Sequence, residues 1–396
     1  PGAFIGNQSG TTYNPGMLAV SITYYWRIDS KNPGGTTQGT VWSFNTQLYS
    51  GLTIAAGCFH TVALKANGSL WTSGWNTWGQ LGDGTTITRT TQTHIGTDTN
   101  WSAIKAGYDH TIALKTDGTL WAWGRNSWGH LGDGTLVERH IPTRIGTGTN
   151  WLAIAAGYQH TIALKSDGTL WGWGRNDFGQ CGDGTNSAKN IPTRIGTATN
   201  WLAIASGGYH TLALRADGSL WVWGYNYFSQ LGDGTTTDRN TPTRIGTDTN
   251  WSAIAGGVYY TVALKTDGTL WAWGANSSGE LGDGTAISKT APTRIGTATN
   301  WLAIAPGGNH TLALKTDGSL WVWGRNSDGQ LGDGTTTSKN VPTQIAGTNW
   351  AAIAGGGAHT IALKTDDTFW VWGDNCYGQL GDGTWTDKNT PTQVGQ

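Results

Sequence analysis

The feature that most restricts this chain is a fifty-residue unit met seven times in a row. Residues 101–150 align without a gap to 151–200, 201–250 and 251–300, and nearly so to 301–349; a shortened copy fills 350–396, and a copy with an altered start fills 51–100. One copy reads N-W-x-A-I-A-x-G-x-x-H-T-I-A-L-K-x-D-G-T-L-W-x-W-G-x-N-x-x-G-Q-L-G-D-G-T, then a polar stretch ending P-T-R-I-G. Ala153 to Ala156 is a short apolar run, and His160 to Lys165 alternates with the period of two of a half-buried strand. Asp167-Gly168 predicts a two-residue type I′ hairpin turn. Thr169 to Trp173 returns as the partner strand, with Trp171 and Trp173 on one face. Thr193 to Ile195, behind Pro192, reads as a short outer strand, where a proline is tolerated. No segment carries a 3.6-residue apolar period over helical length.

Four such strands cannot bury their Trp and Leu faces alone, so the copies must stack, as a closed propeller or an open solenoid. Face-to-face packing suits broad Trp faces opposed by Gly and Ala, and seven uninterrupted copies without a polar capping unit favour a ring. The expected fold is all-β, a seven-bladed β-propeller of four-stranded antiparallel blades over residues 49–396. Ring closure is expected through the strand around Thr390 to Val394, pairing with the blade that begins near Leu52. Composition agrees with a packed β body: 62 Gly and 25 Trp accompany only 12% charged residues. The formal charge is −1, with no run of Lys or Arg, which removes the electrostatic footprint of a nucleic-acid or anionic-membrane binder. No apolar stretch approaches a membrane span, so no membrane insertion is expected.

The string G-Y-D-H-T-I-A-L-K-T-D-G-T-L-W-A-W-G-R-N-S-W-G-H-L-G-D-G at 107–134 strongly resembles the repeat of the regulator of chromosome condensation family, and seven copies match at the same spacings over 51–396. The resemblance implies a seven-bladed propeller. Activity has to be argued from sites carried on the fold.

The first fifty residues differ in composition. T-T-Y-N-P-G at 11–16, Y-Y-W-R-I-D-S-K-N at 24–32 and G-T-V-W-S-F-N-T at 39–46 resemble the C-terminal half of a fibronectin type III sandwich, with Tyr25, Trp26 and Trp42 where that family places core aromatics. Residues 1–48 are therefore expected to form a partial, β-sandwich-like segment that cannot close its own two-sheet core. The chain starts at Pro1 without a Met or a signal-peptide pattern and reads as a processed product or fragment. Fibronectin-like residues beside near-identical repeats suggest a large extracellular or surface protein, of bacterial type.

A residue present in every copy most simply builds the blade, whereas a function that is not sevenfold should lie where copies differ. Asp83, Asp133, Asp183, Asp233, Asp283, Asp333 and Asp382 each stand between glycines and are read as turn-stabilising. His60, His110, His160, His210, His310 and His359 share one repeat position, with Tyr260 as the seventh. Neighbouring blades place such positions ~10 Å apart, too far to share one zinc ion, so these are read as structural and no metal or other cofactor is expected. There is no G-x-S-x-G elbow, H-E-x-x-H or phosphate loop, and the only glutamates, Glu138 and Glu280, lie on non-adjacent blades. An enzyme is not expected.

Symmetry is broken in two loops. After W-x-W-G or its variant the copies read W-N-T-W, R-N-S-W, R-N-D-F, Y-N-Y-F, A-N-S-S, R-N-S-D and D-N-C-Y; before the His or Tyr260 they read C-F, Y-D, Y-Q, G-Y, Y-Y, G-N and G-A. The resemblance places both loops on one face of the ring. The candidate binding face is Trp75, Trp78, Arg125, Trp128, Arg175, Phe178, Tyr225, Tyr227, Phe228, Tyr259 and Arg325, concentrated in blades 1 to 4. Aromatic and Arg residues on rigid loops are typical hot spots. Relatives in the resembled family exchange nucleotide on the Ran GTPase and bind nucleosomes through an inserted wedge and a basic tail, which this sequence lacks. Another relative, the plant ultraviolet-B photoreceptor, uses Trp directly after the Gly of G-x-x-H-T. Here those positions are Cys58, Tyr108, Tyr158, Gly208, Val258, Gly308 and Gly357, which argues against photoreception. The reading is a binding or assembly scaffold for protein partners or for self-assembly, with a lectin-like glycan-binding propeller as the alternative. Cys58 and Cys376 fall in blades 1 and 7, neighbours only in a closed ring. Two free thiols are the default and a disulfide the alternative.

Overall fold

The computed structural model describes residues 52–395 and, before them, four short strands, Thr23–Trp26, Ser30–Asn32, Gly35–Thr37 and Trp42–Asn45. The first of these pairs antiparallel with the last, and the middle two pair with each other. The sandwich-like fold expected for 1–48 otherwise lies outside the described residues. Residues 1–51 and 52–396 are separate compact units.

The second unit is a seven-bladed propeller in which every blade is a four-stranded antiparallel sheet drawn from one contiguous copy. Blade 3 shows the plan, with Trp151–Ala156 innermost, then His160–Lys165, Leu170–Gly174 and the outer Lys189–Arg194. The outer strand is longer than its sequence suggests, and Pro192 lies inside it. The pairing shifts register between Gly172 and Gly174, and this irregularity on an edge strand accommodates the missing N–H. The hairpin turn also departs from expectation. Of the Asp167-Gly168 pair only the glycine takes a positive φ, 75°. Gly168 N–H donates to Lys165 O and Lys165 N–H to Thr169 O, a three-residue loop with the glycine in the left-handed position. The Asp167 carboxylate accepts from both Thr169 N–H and its hydroxyl, which stabilises the turn without a positive φ at the aspartate.

Packing between blades forms the core. Ile112, Leu114, Leu120, Ala122, Leu131 and Ile145 of blade 2 meet Trp151, Ile154, Ala163 and Trp173 of blade 3. Among the described residues the fully buried tryptophans are Trp123, Trp173, Trp223, Trp273, Trp323 and Trp372, while Trp121 and Trp171 are half-buried beneath lysine ammonium groups. The largest stability loss on truncation therefore belongs to the Trp173 series, with Trp121 and Trp171 packed against the edge of the same clusters. Gly182 shows why these partners are small, since a Cβ there would stand 2.5 Å from Trp223 Nε1.

Hydrogen bonds encircle the ring at three radii. Near the channel, Cys58 N–H donates to Gly107 O, and Gly357 N–H returns from blade 7 to Gly57 O. At the outside, the second Gly of each G-D-G turn donates to the next blade, including Gly383 to Thr90 O at 2.7 Å. Between them, His60 Nε2 stands 2.9 Å from Thr111 Oγ1, and Thr111 Oγ1 donates to Gln80 O at 2.8 Å. The threonine proton is thus committed, so the imidazole donates from Nε2. His359 and Thr61 repeat this contact across the closing seam at 3.2 Å. Tyr260 substitutes by donating its hydroxyl to His310 O. Closure does not use the last strand as expected, because Lys388–Val394 pairs inside its own blade with Phe369–Gly373. Copy 350–396 already supplies four strands, leaving none to be borrowed.

The seam between blades 7 and 1 is packed differently. Ser73 stands where six copies have a buried Trp, and Gln92 where those copies have Pro. Gln92 Nε2 donates to Ser73 Oγ at 2.9 Å, and both occupy the slot beside Gly381 that Trp fills elsewhere. Ser73→Trp alone is expected to overpack against Gln92 and cost ~1–3 kcal/mol. Adding Gln92→Pro should recover that loss, a coupling that urea unfolding of the double-mutant cycle measures; additive effects would contradict the shared slot.

Burial lowers His60, His160, His210 and His310 to about 3 and His359 to about 4. The unfolded chain then binds protons between pH ~6.5 and ~3 that the folded chain refuses, so this stability is present above pH ~6.5 and is lost as pH falls. His210→Tyr, the exchange that Tyr260 represents, is expected to flatten the dependence by up to ~1.4 kcal/mol per pH unit. Denaturation at pH 7 and pH 5 checks this, and parallel slopes for the two proteins would contradict it.

Candidate binding face

The loops after the first and third strands of the blades meet in an aromatic crescent. Tyr377 of blade 7 lies 5.1 Å from Phe59 and 5.6 Å from Trp75 of blade 1. Phe59 leads to Tyr108 at 5.4 Å, Tyr108 to Tyr158 at 4.9 Å, and Tyr158 to Tyr209 at 5.2 Å. Tyr209 joins Phe178, Tyr225 and Tyr259, and Phe228 closes on Tyr259 at 4.7 Å and on Tyr227 at 5.1 Å. Centroid separations of this size with edge-on or tilted planes are favourable for aromatic pairs.

A second course lies across the blade boundaries. The Arg125 guanidinium covers Trp78 at 4.6 Å, Arg175 covers Trp128 at 5.0 Å, and Phe178 packs on Tyr225 at 4.5 Å. Arg175 also reaches Phe178 and Tyr209 and ties this course to the first. Arg325 stands apart on blade 6, exposed, donating to Ser327 and paired with Asp328 at 3.5 Å. Ala275, Ser278, Asn309 and Asp328 occupy the equivalent positions of blades 5 and 6, so the face divides into an aromatic crescent and a polar gap.

Ten of the eleven residues singled out from sequence thus lie in these two courses. Phe59, Tyr108, Tyr158, Tyr209 and Tyr377 belong with them and were passed over, although the first four stand in the loop doublets C-F, Y-D, Y-Q and G-Y. Exposure is uneven. Tyr227 is 67% exposed, Phe228 37% and Tyr377 36%, while the other crescent rings are half-buried.

Tyr227 and Phe228 ride on a strained turn. Ser229 has φ 62° where the six other copies place glycine. A left-handed non-glycine residue costs ~1–2 kcal/mol. Ser229→Gly is expected to stabilise the protein by ~1 kcal/mol, read as a higher unfolding midpoint; no change would mean the loop carries no strain.

The sevenfold polar residues are absorbed by the blades. Asn176 Nδ2 donates to Asp183 Oδ1, and Thr185 N–H and Lys189 bind the same carboxylate. Burial alone would raise Asp183, but the Lys189 and Thr185 bonds hold it below the ordinary aspartate value. Cys58, Cys181 and Cys376 are free thiols.

The central channel, about 320 Å³, is lined by the innermost strands together with residues such as Cys58 and Tyr158. Lys105 lines it where the other six copies have Ala; its side chain keeps solvent access within the channel, and the surrounding protein lowers its pKa by desolvation. Below Arg125, Asp109 is fully buried and paired with that guanidinium at 3.2 Å, beside His110 and His130. Burial raises Asp109 to about 6 against the opposing charge of Arg125, and lowers His130 to about 3, with Arg125 adding to that shift.

Comparison with known proteins gives a consistent picture. The family described as RCC1-like domain matches residues 39–345, and the regulator of chromosome condensation repeat matches 350–379 and 366–396. No curated protein sequence matches the chain. Human WBSCR16 is similar in structure, with TM-score 0.74 and 23% identity over 83% of this chain and 93% of that one. Prp20p from Saccharomyces cerevisiae, whose structure is described with its binding to Gsp1p and histones, gives TM-score 0.74 and 23% identity over 88% and 87%. Yeast RCC1 (Prp20) bound by Kap60 gives 0.73 and 23% over 87% and 84%.

Proposed function

The chain belongs to the RCC1-like domain family, and on that premise we propose that it is a non-enzymatic scaffold holding a protein partner on the aromatic crescent of one propeller face. The observation that carries this is the unbroken run of rings from Tyr377 to Tyr227, built on loops that differ between blades whose frameworks are alike. Half-buried rings that already pack on one another lose little side-chain entropy on binding, and Tyr, Trp and Arg dominate binding hot spots. The yeast relative's partners, Kap60, Gsp1p and histones, are proteins, which supports the same class of partner here. The fibronectin-like pattern of residues 1–48 supports a secreted or surface setting, part of the same proposal.

The test is affinity capture with the immobilised chain, followed by a glycan array. Tyr227→Ala and Trp128→Ala are each expected to cost ~2 kcal/mol of partner affinity, about thirtyfold, with the melting temperature little changed. Ser278→Ala in the polar gap should bind as the parent does. Normal binding by the crescent variants would place the partner elsewhere, and sugar binding abolished by the same variants would establish the lectin alternative.

A further inference from the structure

Blade 2 departs from its six copies at two buried positions that lie side by side. Asp109 stands where the others carry Phe59, Gln159, Tyr209, Tyr259, Asn309 or Ala358, and His130 where they carry Gln or Glu280. Together with His110 they bring a carboxylate and two imidazoles to one point, with a ligand atom of each within 4.8 Å of the others. All three are fully buried, and the two imidazole centroids are 4.7 Å apart.

The cluster is incompletely satisfied. His130 Nε2 and Asp109 Oδ1 face each other at 3.7 Å, too far for a hydrogen bond, and neither they nor His130 Nδ1 make one elsewhere, although Asp109 Oδ2 holds Arg125. In other blades the Gln or Glu at this position accepts from a backbone N–H two residues earlier, as Gln180 does from Phe178, and His130 makes no such bond. The neighbourhood is also loosened. The His110 link to Thr161 is 3.5 Å where its equivalents are 2.9–3.2 Å. Buried polar groups without partners are costly, and several converging in one place require an explanation, an ion among them.

We propose that Asp109, His110 and His130 form a binding site for one late first-row divalent metal ion of the zinc type. Two imidazoles and a carboxylate suit such an ion. Asp109 would offer Oδ1, leaving Oδ2 to Arg125, which is 31% exposed and can turn outward to relieve the charge. The site takes His110 from the repeated series, the one whose threonine link is longest, and leaves the other five histidines as blade-to-blade links. It stands beneath Arg125 and Trp78 and would stiffen that part of the face.

The probe is Co²⁺, whose visible bands report coordination, titrated into the full chain after chelator treatment, with Zn²⁺ as competitor. The variants His130→Gln and Asp109→Gln each install the residue that blade 3 carries, Gln180 and Gln159, and should fold. One equivalent of Co²⁺ is expected, displaced by Zn²⁺, with a melting temperature raised by Zn²⁺. Either variant should weaken binding by more than ~100-fold, the upper range seen for outer-shell changes alone. Absence of a Co²⁺ spectrum overturns the proposal. So does binding that survives in both variants, or binding that persists in them but is lost in His140→Asn, which would assign the ion to the exposed His140–Glu138 pair.

Discussion

Six of the seven blades are tied to the next by a buried imidazole whose Nε2 faces a threonine hydroxyl, which in turn donates to a main-chain carbonyl. This relay, repeated around the ring, fixes the spacing at which the tryptophan faces meet. Both partners are inaccessible to water, so breaking one link leaves polar groups stranded and costs more than the bond itself contributes. It also explains why Tyr260 is accepted. Its hydroxyl reaches His310 O and stands 3.0 Å from Thr311 Oγ1, satisfying the same crossing with a longer side chain.

Because the frame is so regular, the chain can vary at the loop tips with little effect on the blade beneath. Asn176, Asp183 and their copies fix the loop after the third strand, so replacing Arg175 by Tyr225 or Ala275 changes the surface and not its support. The result is an asymmetric face on a symmetric ring. Blade 2 extends the same freedom inward, where Asp109 and His130 replace residues that elsewhere complete the interlock.

Much of this was legible in the sequence because repeat spacing and period-two patterning act locally. Seven copies, four strands each and the structural reading of the Asp and His positions all follow from it. The turn at Asp167 was misread because Asp-Gly fits both a two-residue and a three-residue loop, and the aspartate side-chain bonds that favour the latter depend on Thr169. Closure was misread because pairing the last strand with blade 1 presumes that a copy is one strand short. The crescent was only partly seen, since the half-buried rings of Tyr108, Tyr158 and Tyr209 become neighbours only across blade boundaries. The Asp109–His130 pairing joins residues of two different loops, which no linear motif signals.

The central claim is that the blades form one closed, mutually supported ring. Native-state hydrogen exchange at the second-strand amides tests it most directly, because blades 1 and 7 have two neighbours each in a ring and one each in an open array. The account predicts protection at Thr61 and Thr360 comparable with that at Thr211, reduced only modestly by the polar seam at Ser73 and Gln92. Protection that rises steadily from both ends toward blade 4, with the terminal blades exchanging by fraying, would contradict it.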